Sequence, residues 1–285
     1  MVGFTGRCGL FALALGIATL APLLPASSGE PPRRVVSMNL CTDQLAMMIA
    51  GEDQLYSVSH LAGDPASSVL ADQAKNHIVN HGLAEEIFLM HPDLVLAGTY
   101  TTRATVDMLR RLGFRVEEFA PETSFADIRT NVRRMGELLG REERAEELIA
   151  AMDDAIATLS EPETRKTVAL YFANGYSSGK GTLADEVVTL AGFRNLAADL
   201  QGIGRLPLET LVMARPDLLV GENRQSAPAL AYQNYDHPAL RAVANDTHRT
   251  AVSDKYWVCG APFTVDAVRQ LSALANERNP GPEHD

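Results

Sequence analysis

The sequence predicts an α/β fold made of two α/β lobes joined by a single long connecting helix. Three observations lead there. Short apolar runs alternate with helical patterns in both halves, residues 124–160 between them are almost all helix formers, and one twelve-residue segment recurs in each half without a gap. A chain of 285 residues, 46% hydrophobic and 21% charged, can bury sizeable cores and has the length of two moderate domains.

In the first half, strands are expected at Val35-Val36-Ser37-Met38, Leu55-Tyr56-Ser57-Val58, Leu94-Val95-Leu96 and Arg115-Val116-Glu117, with helices near 42–50, 84–90 and 102–112. Ser124 can cap a helix that Gly140 interrupts, and a second helical segment runs over 141–159. There Leu148, Met152, Ile156 and Leu159 fall on one face, and nineteen residues would reach about 28 Å, enough to link two lobes. The α/β rhythm then resumes, with strands at Thr167-Val168-Ala169-Leu170, Leu218-Leu219-Val220 and Thr250-Ala251-Val252. The expected division is a leader over 1–28, a lobe over 29–137, the connector over 138–163, a second lobe over 164–278 and a disordered tail over 279–285.

The recurring segment is Ala84-Glu85-Glu86-Ile87-Phe88-Leu89-Met90-His91-Pro92-Asp93-Leu94-Val95. It matches Leu208-Glu209-Thr210-Leu211-Val212-Met213-Ala214-Arg215-Pro216-Asp217-Leu218-Leu219. Each copy is a short helix opened by an acid, stopped by proline and followed by a buried strand. A weaker echo pairs 42–51 with 183–192.

Arg7 precedes an uncharged stretch from Cys8 to Leu24, followed by Pro25, Ala26, Ser27 and Ser28. This reads as a secretory signal cleaved near Ser28, which implies an exported protein without a permanent membrane anchor, since a lipid-modified cysteine would have to follow the apolar run. The formal net charge of −11 gives no footprint for a nucleic-acid backbone. Beyond the leader the cysteines are Cys41 and Cys259, which read either as two independent buried thiols or as one long-range bridge. His77 and His81 stand at i and i+4, which would share a helical face, but no zinc pattern surrounds them. Gly179-Lys180-Gly181-Thr182 lacks the upstream glycine of a phosphate loop and reads as a strand-to-helix turn.

The doubled Glu-x6-Pro-Asp segment, the strand leading into Asn39-Leu40-Cys41-Thr42-Asp43-Gln44-Leu45, and Ser178-Gly179-Lys180 before Leu183-Ala184-Asp185-Glu186-Val187 resemble a known family. It is that of the exported solute-binding proteins of ABC importers for ferric siderophores, haem and vitamin B12. The resemblance runs from about Arg33 to Leu274. It implies a ligand cleft between lobes bridged by one rigid helix, a periplasmic location, a monomer without an intrinsic cofactor, and a partner permease with its ATPase subunits. The ligand would be an iron chelate or cobalamin. Glu85 and Glu209 match the exposed acid that each lobe of such proteins presents to permease arginines.

Loops at the carboxyl ends of the strands should line the cleft. Those of the first lobe hold Asn39, Cys41, His60, Leu61, Asn80, His81, Tyr100 and Arg103, and those of the second hold Tyr176, Lys180, Arg205, Arg224 and the segment Tyr256-Trp257-Val258-Cys259. Aromatic faces suit a flat macrocycle or catechol arms, and Arg or Lys suits a carboxylate, a phosphate or an anionic ferric chelate. Beside Leu61, Val79 and Gly98 the chain lacks the aromatic residues that vitamin B12 binders of the family often carry. Cys41 and Cys259 would face the same cleft from opposite lobes, so a bridge between them would hold the lobes together. The competing classes are a receptor for bare zinc or manganese ions, which needs converging His, Asp or Glu ligands, and a cleft enzyme, for which no nucleophile elbow is present.

Overall fold

Parallel strands with helical crossovers organise both halves of the chain. The computed structural model describes residues 30–159, 165–221, 237–246, 248–250, 252 and 254–276, with Met1 and Gly3. The chain divides into Met1–Glu30 and Pro31–Asp285, and every element belongs to the second unit. The expected leader, the tail and Arg224 lie outside the described residues, apart from Met1 and Gly3.

The first sheet contains β1 (Val35–Ser37), β2 (Leu55–Ser59), β3 (Ile78–Asn80), β4 (Leu94–Gly98) and β5 (Val116–Phe119) in the order β3-β2-β1-β4-β5, all parallel. Its helices are α1 (Leu40–Ile49), α2 (Ala71–Ala74), α3 (Ala84–Met90) and α4 (Arg103–Arg111). Strand β3 escapes the apolar-run criterion because it is three residues long and leaves Ile78 and Val79 about half exposed. Since side chains alternate along a strand, Val35, Leu94 and Leu96 face one core while Val36 and Val95 face another with Ile87, Val106 and Leu109.

Two helices then follow, α5 (Phe125–Leu139) and α6 (Glu142–Ala157). Ser124 caps α5 by accepting from the Asp127 amide, and Gly140 ends it in the left-handed region at φ 64°. Arg129 pairs with Asp153 and Arg133 with Glu146, each at 2.6 Å, so the helices run antiparallel as a hairpin. Gly136 lets them approach closely, because a Cβ there would collide with Ala145. The expected connector is therefore α6 packed along α5, and at 16 residues it spans about 24 Å. Its inward face is broader than the expected stripe: Ala145, Ile149, Met152 and Ala155 are buried, with Leu148, Ile156 and Leu159 partly so.

The second sheet contains β6 (Thr167–Leu170), β8 (Arg194–Asn195), β10 (Leu218–Val220) and β11 (His248–Thr250) in the order β11-β10-β6-β8, again all parallel. The last of these begins two residues earlier than expected. Two further strands, β7 (Tyr176–Ser178) and β9 (Ile203–Arg205), form an antiparallel pair of their own. The helices are α7 (Leu183–Leu190), α8 (Leu208–Ala214), α9 (Pro238–Asp246) and α10 (Thr264–Asn276). As expected, 179–182 turn from strand to helix, with Thr182 capping α7. Among the described residues no helix is long and apolar enough to cross a membrane.

The halves repeat one plan: β6, β8, β10 and β11 occupy the places of β1, β2, β4 and β5. The repeated Pro-Asp segment has a structural reason. Helices α3 and α8 both end in a left-handed residue, His91 or Arg215, and the following aspartate ties the chain to the start of the central strand. Asp93 accepts from the amides of Arg33 and Arg34 (2.7 and 2.9 Å), and Asp217 from that of Thr167 (2.7 Å). The sheets are joined by more than one rod, since a single apolar cluster runs from Val35 and Leu45 through Ile128, Met135 and Met152 to Val168, Val187 and Leu271.

Candidate functional site

All five strands of the first sheet point their carboxyl ends to one edge, and the turns leaving that edge surround a cavity of about 190 Å³. Asn39 caps α1, accepting from the Cys41 amide at 3.0 Å, and so fixes the first turn of that helix at the cavity wall with Cys41, Thr42 and Leu45. Gly98 permits this, because a Cβ there would stand 3.0 Å from the Asn39 side chain. Thr99 and Tyr100 follow β4, Phe119 ends β5, and Ala120, Pro121 and Glu122 follow it. From the second half comes Val258.

The Asn39-to-Leu45 motif is mainly a clamp for neighbouring turns. The Thr42 hydroxyl bonds that of Ser37 (2.8 Å), Asp43 accepts from the amide and hydroxyl of Ser59 (3.1 and 2.5 Å), and Gln44 accepts from the Val69 amide (2.8 Å). Asp43 is fully buried, and burial pushes its pKa up to about 6 against the opposing hydrogen bonds from Ser37 and Ser59. Asn80, at the end of β3, donates to the Ser37 carbonyl and the Ser57 hydroxyl and accepts from the Gly82 amide. Asn195, at the end of β8, does the same for the second half through Ser178, Asp185 and Ala197.

The segment 256–260 reaches from the second half to the first half's wall. Cys259 is joined to Cys41 by a disulfide with a Cα–Cα distance of 5.0 Å, and the Gly260 amide donates to Glu122 at 3.2 Å. Glu122 also accepts from Asn131 at 2.6 Å, and burial pushes its carboxyl above the usual range in spite of these bonds. Gly260 is required, since a side chain there would collide with Glu122. Cys41 sits in the first turn of α1 and not, as expected, in a loop.

Of the sequence-derived candidates, Asn39, Cys41, Tyr100 and Val258 line the cavity, and Cys259 is bonded to its wall. His60 and His81 stack on each other with ring centroids 5.4 Å apart, and His81 contacts Glu86 at 3.1 Å, all off that cavity. Strand β3 separates His77 from His81, and His77 bonds the Leu55 carbonyl, so the two do not share a helical face. Among the described residues no three His, Cys, Asp or Glu side chains converge as a metal site. Arg103 opens α4 and is exposed. Tyr176 and Arg205 face each other across β7 and β9, the guanidinium 5.7 Å from the ring, and Lys180 is exposed beside Gln201. Tyr256 and Trp257 are half-buried against the central core instead of lining the cavity.

Sequence reasoning missed Thr42, Leu45, Gly98, Thr99, Phe119, Ala120, Pro121 and Glu122. The usable signal was position, since Phe119 to Glu122 follow directly on the expected strand at 115–117. Glu85 and Glu209 are exposed second residues of α3 and α8. Glu85 borders an apolar groove of about 330 Å³ between α3 and α4, lined also by Phe88, Leu89, Met108 and Leu112.

Residues 35–247 match the family described as periplasmic binding protein. The chain belongs to that family. This periplasmic binding protein is 28% identical over 202 residues to the cobalamin-binding protein of Halobacterium salinarum, covering 66% of this chain and 53% of that one, about half the relative's length. It is 26% identical over 231 residues to the vitamin B12-binding protein of Yersinia pestis, covering 76% and 79%. The periplasmic heme binding protein HutB of Vibrio cholerae superposes with a TM-score of 0.70 at 20% identity, covering 85% and 98%, which shows a shared fold.

Proposed function

We propose that this periplasmic binding protein is the exported receptor of an ABC importer. It captures a metal chelate, either cobalamin or an iron complex such as haem or a ferric siderophore, and hands it to a membrane permease. The observation that carries this reading is the cavity at the carboxyl edge of the first sheet, walled on its far side by the second half, in a chain of this family. Open α/β sheets hold ligands at that edge. The relatives named for cobalamin or vitamin B12 favour a corrinoid among the chelates.

The cavity takes one edge of such a ligand. Phe119 and Leu45 offer apolar surface, and the largely exposed Tyr100 stands at the rim, where its ring can stack on a flat macrocycle. Stoichiometric capture without turnover separates this reading from an enzyme, and a requirement for the organic ligand separates it from a bare-ion receptor. The leader-like segment over 1–28 supports export, and the exposed, repeated Glu85 and Glu209 support docking to permease arginines. Such acids act chiefly on encounter and orientation, so their effect should weaken with salt. The test is saturable, one-to-one binding of hydroxocobalamin, haemin or a ferric hydroxamate, followed through Trp257, the only tryptophan. Binding of none of them would refute the reading.

A further inference from the structure

The Cys41–Cys259 disulfide crosses between the halves at the cavity itself. Cys41 belongs to the first turn of α1 and its side chain forms part of the cavity wall, while Cys259 is 1% exposed and follows the cavity-lining, largely exposed Val258. One residue further on, Gly260 donates to the buried carboxyl of Glu122, another cavity residue. Segment 256–260 is thus a strap laid from the second half onto the first, fastened by one covalent bond and one hydrogen bond at adjacent positions. Away from the cavity the halves share the apolar core around α5 and α6, on which Tyr256 and Trp257 at the foot of the strap also pack.

We propose that this disulfide is a redox-sensitive latch on the cleft: oxidised, it holds the strap against the cavity and slows ligand exchange, and a dithiol reductant releases it. The part that concerns ligand exchange rests on the receptor reading above; the opening of the strap does not. The two sulfurs are unequal, because Cys41 is partly exposed and Cys259 is buried. A reductant thiolate attacks the Cys41 sulfur, the S–S bond breaks, and the bonding pair leaves on Cys259, which takes up a proton. The second thiol of the reductant, deprotonated, attacks its own sulfur in the mixed disulfide and expels Cys41 as a thiolate, favoured by the amide end of α1. Two electrons pass to the protein, and the reductant leaves as a disulfide. Once freed of the covalent bond, the strap keeps the Gly260–Glu122 hydrogen bond at this wall, and Val258 can swing off the cavity.

The test uses the full chain exported into an oxidising compartment, with free thiols counted by mass after labelling. Amide hydrogen exchange over 118–124 and 255–262 is then compared for the oxidised wild type, the phosphine-reduced wild type and Cys41→Ser/Cys259→Ser with and without phosphine. The latch predicts no free thiol at either position in the isolated wild type. It also predicts exchange about tenfold faster in both segments on reduction, the same fast exchange in the double variant regardless of phosphine, and unchanged protection in β1 and β4. The ligand arm follows release of hydroxocobalamin and of haemin from oxidised wild type and double variant, with several-fold faster release expected from the variant. Two free thiols in the isolated protein, or equal exchange in oxidised and reduced forms, would overturn the latch. Loss of protection throughout β1 and β4 would also overturn it, as that is global destabilisation. Faster strap exchange with no binding of hydroxocobalamin, haemin or a ferric hydroxamate keeps the latch and removes the receptor reading; binding with equal release rates and equal exchange does the reverse.

Discussion

The two halves share a frame and use it differently. Both place a central strand beside equivalent neighbours, tie its start with the aspartate of a Pro-Asp pair, and pin a strand end with a buried asparagine. In the first half the strand after β2 joins the sheet as β3, and the carboxyl edge is left open to form a cavity. In the second half the strand after β8, β9, pairs instead with β7, which directly follows β6, so these two strands form a sheet of their own and the second half's main sheet has four strands among the described residues. The lesson is that a duplicated scaffold fixes where loops emerge, while small insertions decide which half builds the wall and which supplies the strap.

The comparison breaks most sharply at the repeated acids. If Glu85 and Glu209 serve one docking surface, Glu85→Arg/Glu209→Arg should lower permease-dependent uptake by tenfold or more, roughly, while ligand affinity stays within about twofold. Uptake by reconstituted vesicles at low and high salt checks this; a fall in affinity of the same size would place these residues at the ligand instead. Next come the asparagine pins. Asn80→Ala and Asn195→Ala each remove a buried side chain that satisfies three partners, and each should cost about 2–4 kcal/mol in urea unfolding. A large loss in one half alone would show that the frames are not energetically equivalent.

Asp43 has no acidic counterpart in the aligned echo, where Ala184 stands, so it should make the first half's stability pH-dependent. Its folded-state pKa of about 6 lies above the unfolded value, so the folded form binds the proton more tightly. This contribution is full below about pH 4 and is lost as pH rises through about 6, amounting to about 3 kcal/mol. Asp43→Asn, which keeps a polar group of the same shape, should therefore gain on the wild type between pH 4 and pH 7.5, about. A difference in unfolding free energy that stays flat over that range would contradict the assignment. The smallest effects belong to the exposed aspartate ties: Asp93→Ala, losing two amide partners, should cost about 1–2 kcal/mol, and Asp217→Ala, with one amide among its partners, about half of that. Thermal unfolding of the two variants under one set of conditions orders them.

Much of the fold was legible because its strands are buried on both faces. Runs such as Val35-Val36 and Leu94-Val95-Leu96 have no polar alternation to blur them, and Pro92 and Pro216 mark the helix ends. The strands that escaped, β3, β7, β8 and β9, have two or three residues each and are set by neighbours distant in sequence. The helical hairpin was half visible: Gly140 and the stripe announced two helices, but the antiparallel pairing of Arg129 with Asp153 is a tertiary fact. At the site, Asn39, Cys41 and Tyr100 could be found from their place after a strand. Glu122 could not, because its role arises only where the strap meets the crossover from β5 to α5. Aromatic and basic residues drew attention to Trp257, Arg103 and Lys180 by type, but type says nothing of which way a side chain is packed.

The central claim is that the cavity holds a metal chelate, and equilibrium titration of the exported protein tests it most directly. Hydroxocobalamin, haemin, a ferric hydroxamate and free zinc or manganese would each be added while Trp257 emission and binding heat are recorded. Saturable one-to-one binding of a chelate, weakened when Phe119 or Tyr100 is replaced by alanine and absent for the free ions, is the predicted result. Binding of the bare ions alone would contradict it.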